Sequence, residues 1–147
     1  MNYLLDTCVL SKLRKIRTHP DPKLAQWIVK HPETSYFISV ITLGEIQAGI
    51  SKLIESNPEQ KKHRMQLEDW FLGDLIPRFQ SRILSVTPEI ALTWGRLSGA
   101  GVQTGLVVPV GDGLIAATAI LHGMTVVTEN AKHFSHHGLE VVNPWML

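Results

Sequence analysis

Apolar residues recur along this chain in two rhythms. Short runs, "NYLL" at 2–5 and "SYFIS" at 35–39, have the length and the aromatic or β-branched content of buried strands. "RILSV" at 82–86, "MTVVTEN" at 124–130 and "LEVVNP" at 139–144 add three more. Between them the apolar positions return every three or four residues, as on one face of a helix. Val9, Leu10 and Leu13 share such a face over 7–15, and Leu24, Trp27 and Ile28 over 23–30. Leu43, Ile46, Ile50 and Leu53 do the same over 41–54, and Met65, Leu67, Trp70, Phe71 and Leu75 over 59–76. "TPEIALTWGRL" opens a helix with Thr87 at the N-cap, Pro88 at the first helical position and Glu89 in the first turn. The glycine-rich "GAGVQTG" at 99–105 reads as an exit toward an exposed loop, and a further helix is predicted from about 113 to 122. Strands separated by helices of this length need parallel crossovers. The expected fold is therefore α/β, a three-layer α/β/α sandwich around a central parallel sheet.

The 147 residues suit one domain spanning 1–147, with no internal repeat or linker. No apolar run approaches the ~18 residues of a membrane span, and Asp6 interrupts what would otherwise start a secretory leader. Cys8 is the single cysteine, so no internal disulfide can form, and both features suit a reducing cytoplasm. A net charge of +1 does not by itself announce a nucleic-acid binder. Its distribution is uneven, however: Lys12, Arg14, Lys15 and Arg17 crowd together just after Asp6, and Lys61, Lys62, His63 and Arg64 form a second cluster. Each cluster reads equally well as a solvated helix face.

Three acids stand where chemistry is expected. Asp6 follows the first strand, Glu45 lies early in the helix after the second, and Asp112 precedes the helix that leads to the fourth. Open parallel sheets bind ligands beyond the carboxyl ends of their strands, near the reversal of strand order. Capping offers a plainer explanation. Asp6 and Asp112 can be N-caps, and Thr42-x-x-Glu45 has the spacing of a capping box. Against capping as a joint account, "YLLDTCVL" and "VVPVGDGLIAATAI" are strongly apolar, and an ionised group there must cap, pair or bind a cation. Gly111 and Gly113 also leave room beside Asp112. Oxygen-only ligands point to Mg²⁺ or Mn²⁺ and to phosphodiester chemistry. Lys12, Arg14, Lys15 and Arg17 could then track a nucleic-acid backbone. His133, His136 and His137 read as a solvated connector, and Trp27, Trp70 and Trp94 as helix faces turned to the core.

The stretches "YLLDTCVLSKL", "ISVITLGEIQAGI", "VVPVGDGLIAATAILHGMTVVTEN" and "VVNPW", in this order over nearly the whole chain, resemble the PIN-domain ribonucleases, in particular the VapC and FitB-like toxins of toxin–antitoxin modules. The resemblance implies a Mg²⁺- or Mn²⁺-dependent endoribonuclease, a homodimer and a small antitoxin that blocks the site. It makes Asp6, Glu45 and Asp112 the metal-binding acids and Thr7 the hydroxyl beside the first. The chain departs from the family at a fourth acid, which some members carry at the position of Asn130 and many others three residues later, at His133. Asn130 can still offer a carbonyl oxygen, which implies a weakened second metal site. Two other readings remain: a phosphatase of the haloacid dehalogenase kind, which would want an Asp where Cys8 stands, and a PIN-like binding module without activity.

Overall fold

The computed structural model describes residues 1–134 and 138–147. Five short strands, β1 (Tyr3–Leu5), β2 (Tyr36–Ser39), β3 (Ile83–Leu84), β4 (Thr125–Val127) and β5 (Val141–Val142), pair in parallel in the order β3-β2-β1-β4-β5. Strand order therefore turns back at β1, which lies between β2 and β4.

Successive strand residues point to opposite faces of the sheet, and the apolar content is divided accordingly. Tyr3 and Leu5 of β1, Tyr36 and Ile38 of β2 and Val127 of β4 enter one core. Leu4 and Val126 enter the other, with Phe37 against it. The first core is closed by α1 (Thr7–Arg14), α2 (Pro22–Ile28) and α3 (Val40–Ser51), through Val9, Leu10, Leu24, Trp27, Ile46 and Ile50. The second is closed by α7 (Val110–His122) through Ile115, Ala116 and Ala119, together with Met124 and Phe134. Leu4, Ile38, Val126 and Val127 are fully buried, each worth about 1.5–3 kcal/mol relative to an exposed side chain. The sandwich expected from the sequence is the one observed.

Two helices differ from the sequence reading. α6 spans Pro88–Thr104, so the glycine-rich stretch at 99–105 is its last turns and not a loop. Gly105, at φ 76°, ends it: Leu106 N–H donates to Gly101 O and Gly105 N–H to Val102 O, the doubled bond of a Schellman stop. The helix expected over 59–76 divides into α4 (Pro58–Trp70), a π turn at Phe71–Leu75 and α5 (Ile76–Phe79). Pro77 has no N–H for Gly73 and its ring crowds that carbonyl, so the turn ahead of it widens.

α6 packs along α7, with Trp94 set against Gly113. A Cβ there would stand 2.7 Å from Trp94 Cδ1 and 2.8 Å from Nε1. The glycine thus admits the indole of α6 against the helix that carries Asp112. Gly113→Ala should lower stability by about 1–3 kcal/mol despite the better helix propensity of alanine, because it overpacks this contact. Thermal unfolding checks this, and adding Trp94→Phe should recover most of the loss.

Candidate active site at the reversal of strand order

Asp6 leaves the carboxyl end of β1 and starts α1 without an intervening loop. Its N–H donates to Val127 O of β4 at 3.0 Å, and its side chain caps α1 by accepting the Thr7 N–H at 2.8 Å. The other carboxylate oxygen accepts the Thr128 hydroxyl at 2.7 Å and the Cys8 thiol at 3.6 Å. Capping and participation in a site are here two uses of one carboxylate. Only 4% exposed, Asp6 is pushed above the usual carboxylate range, first by burial and further by the charge of Asp112, against the lowering effect of its hydrogen bonds from Thr128, Thr7 and Cys8.

Glu45 arrives from α3. That helix is capped not by the expected box but by Ser39, the last residue of β2, whose hydroxyl accepts the Ile41 N–H at 3.0 Å. Helix formation begins at Val40, two residues before Thr42, so Thr42 is fully buried in the first turn and Glu45 lies too far along to reach the cap. Glu45 Oε1 instead accepts the Thr7 hydroxyl at 2.7 Å, across from β1. Burial raises this carboxyl too; the Thr7 bond lowers it, and the charges of Asp6 and Asp112 raise it. Thr7 therefore bridges the first two acids, with its backbone N–H on Asp6 and its hydroxyl on Glu45.

Asp112 is not an N-cap. α7 begins at Val110 with Pro109 in the capping position, which puts Asp112 in the first turn, where a negative charge complements the helix dipole. The room beside it has two uses. Gly113 is filled by Trp94, whereas Gly111 faces Glu45: a Cβ there would lie 3.3 Å from Glu45 Oε2. Gly111 thereby lets the third acid's turn approach the second.

His133 stands where a solvated connector was expected, yet it belongs to the site. It ends a short 3₁₀ turn, Ala131–His133, and its Nδ1 lies 2.6 Å from Asp112 Oδ2. Periodicity cannot reveal this, because the contact joins residues 21 apart through the turn after β4. His136 and His137 lie outside the described residues. Asn130 is exposed, and among the described residues its side chain forms no hydrogen bond to the three acids; its N–H donates to Thr128 Oγ1 at 3.0 Å. Thr128, buried and bonded to Asp6, was not anticipated, although a polar residue closing the apolar run "TVV" was its signal.

The other candidates divide. Lys12 pairs with Glu129 at 3.0 Å and lies over the Trp145 ring at 4.5 Å. Arg14 and Arg17 line a separate groove of about 670 Å³ with Leu10, Leu13, Trp70 and Arg78. Lys15 closes α1 at the surface. Trp27 is core, while Trp70 and Trp94 are half-buried. Burial pushes the Cys8 thiol up to about 11, so it donates to Asp6 as a neutral group and is a poor metal ligand.

Asp6, Glu45 and Asp112 form an oxygen-only donor set in which the charge of Asp112 makes Asp6 harder to ionise, and those of Asp6 and Asp112 do the same to Glu45. Among the described residues, no three His, Cys, Asp or Glu side chains close directly around an ion. A hard divalent cation that keeps several of its waters, as Mg²⁺ does, is the kind of ion this donor set could hold, through Asp6, Glu45 and Asp112. Among the described residues, no helix is long and apolar enough to cross a membrane.

Known proteins share this arrangement of elements. A VapC ribonuclease of Sinorhizobium fredii is 30% identical over 142 residues, which cover 97% of this chain and 96% of the relative. The crystal structure of FitAcB from Neisseria gonorrhoeae is similar with a TM-score of 0.85 and 28% identity, over 99% of each chain. A toxin–antitoxin complex from Klebsiella pneumoniae is similar with a TM-score of 0.63 and 25% identity, over 97% of this chain and 98% of the other. The model of the PIN domain matches residues 3–138, spanning every element from β1 to β4 and all three acids, and the chain belongs to the PIN domain family.

Proposed function

We propose that this chain is a Mg²⁺- or Mn²⁺-dependent endoribonuclease and the toxin of a toxin–antitoxin pair, cutting RNA by hydrolysis of phosphodiester bonds. The observation that carries the reading is the meeting of Asp6, Glu45 and Asp112 at the carboxyl end of a parallel sheet, where its strand order reverses. The ribonuclease and toxin–antitoxin relatives support it.

A divalent cation held there supplies an activated water and charge neutralisation at the scissile phosphate. The chain's own part is to position and to stay charged. Thr7 keeps Asp6 and Glu45 in register, and Thr128 fixes the second oxygen of Asp6. The carboxyls of buried Asp6 and exposed Glu45 are both raised, so a bound cation would favour their ionised state. Lys12, which pairs with Glu129 just after β4, is the positive charge we assign to the RNA backbone. We read the chain as one domain, acting in the cytoplasm as a homodimer. Exposed Val102 and Val107, beside the half-buried Leu106, are the apolar positions that a second copy would cover.

Asp6→Asn, Glu45→Gln and Asp112→Asn should each lower RNA cleavage by at least about a hundredfold, about 2.7 kcal/mol of transition-state stabilisation. Stability should move the other way for Glu45→Gln. A carboxyl whose folded pKa is raised keeps its proton longer in the folded state, so folding stability falls as pH rises from the unfolded pKa through the folded one. Above both pKa values the cation-free wild type carries that penalty, and the amide removes it. Melting temperature without metal should be unchanged or higher in Glu45→Gln, and Mg²⁺ or Mn²⁺ should raise it in the wild type. Cleavage by the wild type in EDTA would overturn the reading, and a folded wild type that binds RNA with no cleavage at any Mg²⁺ or Mn²⁺ concentration would leave a binding module.

The same three charges offer a target for inhibition. A basic side chain of the antitoxin inserted among them would exclude both cation and substrate, while apolar side chains of the same segment seat in the groove of Leu10, Leu13 and Trp70. The triple variant Asp6→Asn, Glu45→Gln, Asp112→Asn should bind antitoxin at least tenfold more weakly, about 1.4 kcal/mol, in a calorimetric titration. For RNA, Lys12→Ala should weaken binding and flatten its salt dependence by about 0.7 in the log–log slope, the value for one single-strand phosphate contact, with the cleavage position unchanged. Binding measured from low to moderate salt checks this.

A further inference from the structure

We infer that His133 is a positioning residue of the cation site, standing where a fourth carboxylate would add charge and acting instead by holding Asp112. The inference rests on the metal-dependent reading above. A carboxylate can only accept, so the 2.6 Å contact has the imidazole Nδ1–H donating to Asp112 Oδ2. That bond orients the carboxylate and leaves Oδ1 for a cation or its waters. The imidazole is itself held. Its backbone N–H donates to Asn130 O at 2.9 Å, and the next residue, Phe134, is fully buried in the core under α7. The turn after β4 is thus anchored on the same core that α7 covers, and His133 joins the two at the level of Asp112.

Ligating carboxylates are commonly oriented by hydrogen bonds of this kind, and removing such a partner weakens metal affinity by about 10–100-fold. An imidazole donor also leaves the centre with three carboxylates and not four. The centre gains orientation without a fourth negative charge.

The test is Mn²⁺ binding by the whole chain, measured by calorimetry and by the electron paramagnetic resonance signal of free Mn²⁺. His133→Ala should weaken binding by about 10–100-fold. His133→Asn puts an amide N–H near the position of Nδ1 and should recover most of the affinity. His133→Gln carries its amide farther out, near the position of Nε2, and should remain as weak as alanine. Unchanged affinity in His133→Ala overturns the inference, as does equal binding by the Asn and Gln variants, a comparison that holds even where alanine fails to fold. Strong ¹⁴N coupling on bound Mn²⁺ that is lost in His133→Asn would make the imidazole a direct ligand, and this too overturns a positioning role. A wild type that binds no Mn²⁺ removes the metal centre and this inference with it, whereas wild-type binding that is indifferent to residue 133 removes the inference alone.

Discussion

A single carboxylate, Asp6, is buried where β1 ends and the strand order turns back, and the geometry around it follows from the need to make that burial tolerable. An ionised group in that setting must be matched by hydrogen bonds, and the chain supplies three: the Thr7 N–H, the Thr128 hydroxyl and the Cys8 thiol. They do not suffice, since burial and the nearby Asp112 still hold its pKa above the usual range. Glu45, though exposed, is raised as well, first by partial desolvation and further by the charges of Asp6 and Asp112, against the lowering effect of the Thr7 bond. Two uncomfortable acids beside a third are a poor arrangement for stability, which a bound cation would relieve.

Short connections keep the acids where they are. Asp6 passes from strand to helix within one residue, and Ser39 ends β2 while capping α3. α7 is fixed from two sides, by Trp94 against Gly113 and by the stop at Gly123, where Met124 N–H donates to Ala119 O and leads straight into β4. With no long loop between a scaffold element and an acid, the carboxylates inherit the rigidity of the sheet. His133 is the exception, since it reaches the site from a turn, and there buried Phe134 supplies the anchor.

Basic residues adjacent in sequence do not share one surface here. Lys12 and Arg14 are two positions apart on α1, a spacing that puts them on different sides of the helix. Lys12 consequently meets Glu129 and Trp145, while Arg14 turns into the groove with Trp70. One charge cluster in the sequence becomes two surfaces in the fold.

Local physics was enough to read the strands and most helices, because alternation and threefold or fourfold spacing follow from backbone geometry alone. Asp6, Glu45 and Asp112 stood out for a related reason: an acid beside an apolar strand or helix is costly, and that cost is visible in a window of a few residues. Capping was harder to place. Whether Thr42 or Ser39 caps α3 depends on where β2 stops pairing, and whether Asp112 caps α7 depends on where the chain leaves α6. The glycines at 99, 101 and 105 read as a loop because propensity is local, whereas packing of α6 on α7 keeps the helix going until Gly105 can turn left-handed. The partners of the acids were beyond any local pattern. Thr7 to Glu45, Thr128 to Asp6 and His133 to Asp112 join residues 38, 122 and 21 apart; the first contact needs β1 beside β2, the second β1 beside β4, and the third the turn after β4 packed against α7. The residue types that do chemistry were determined by the sequence, and which of them touch was decided by the order of the strands.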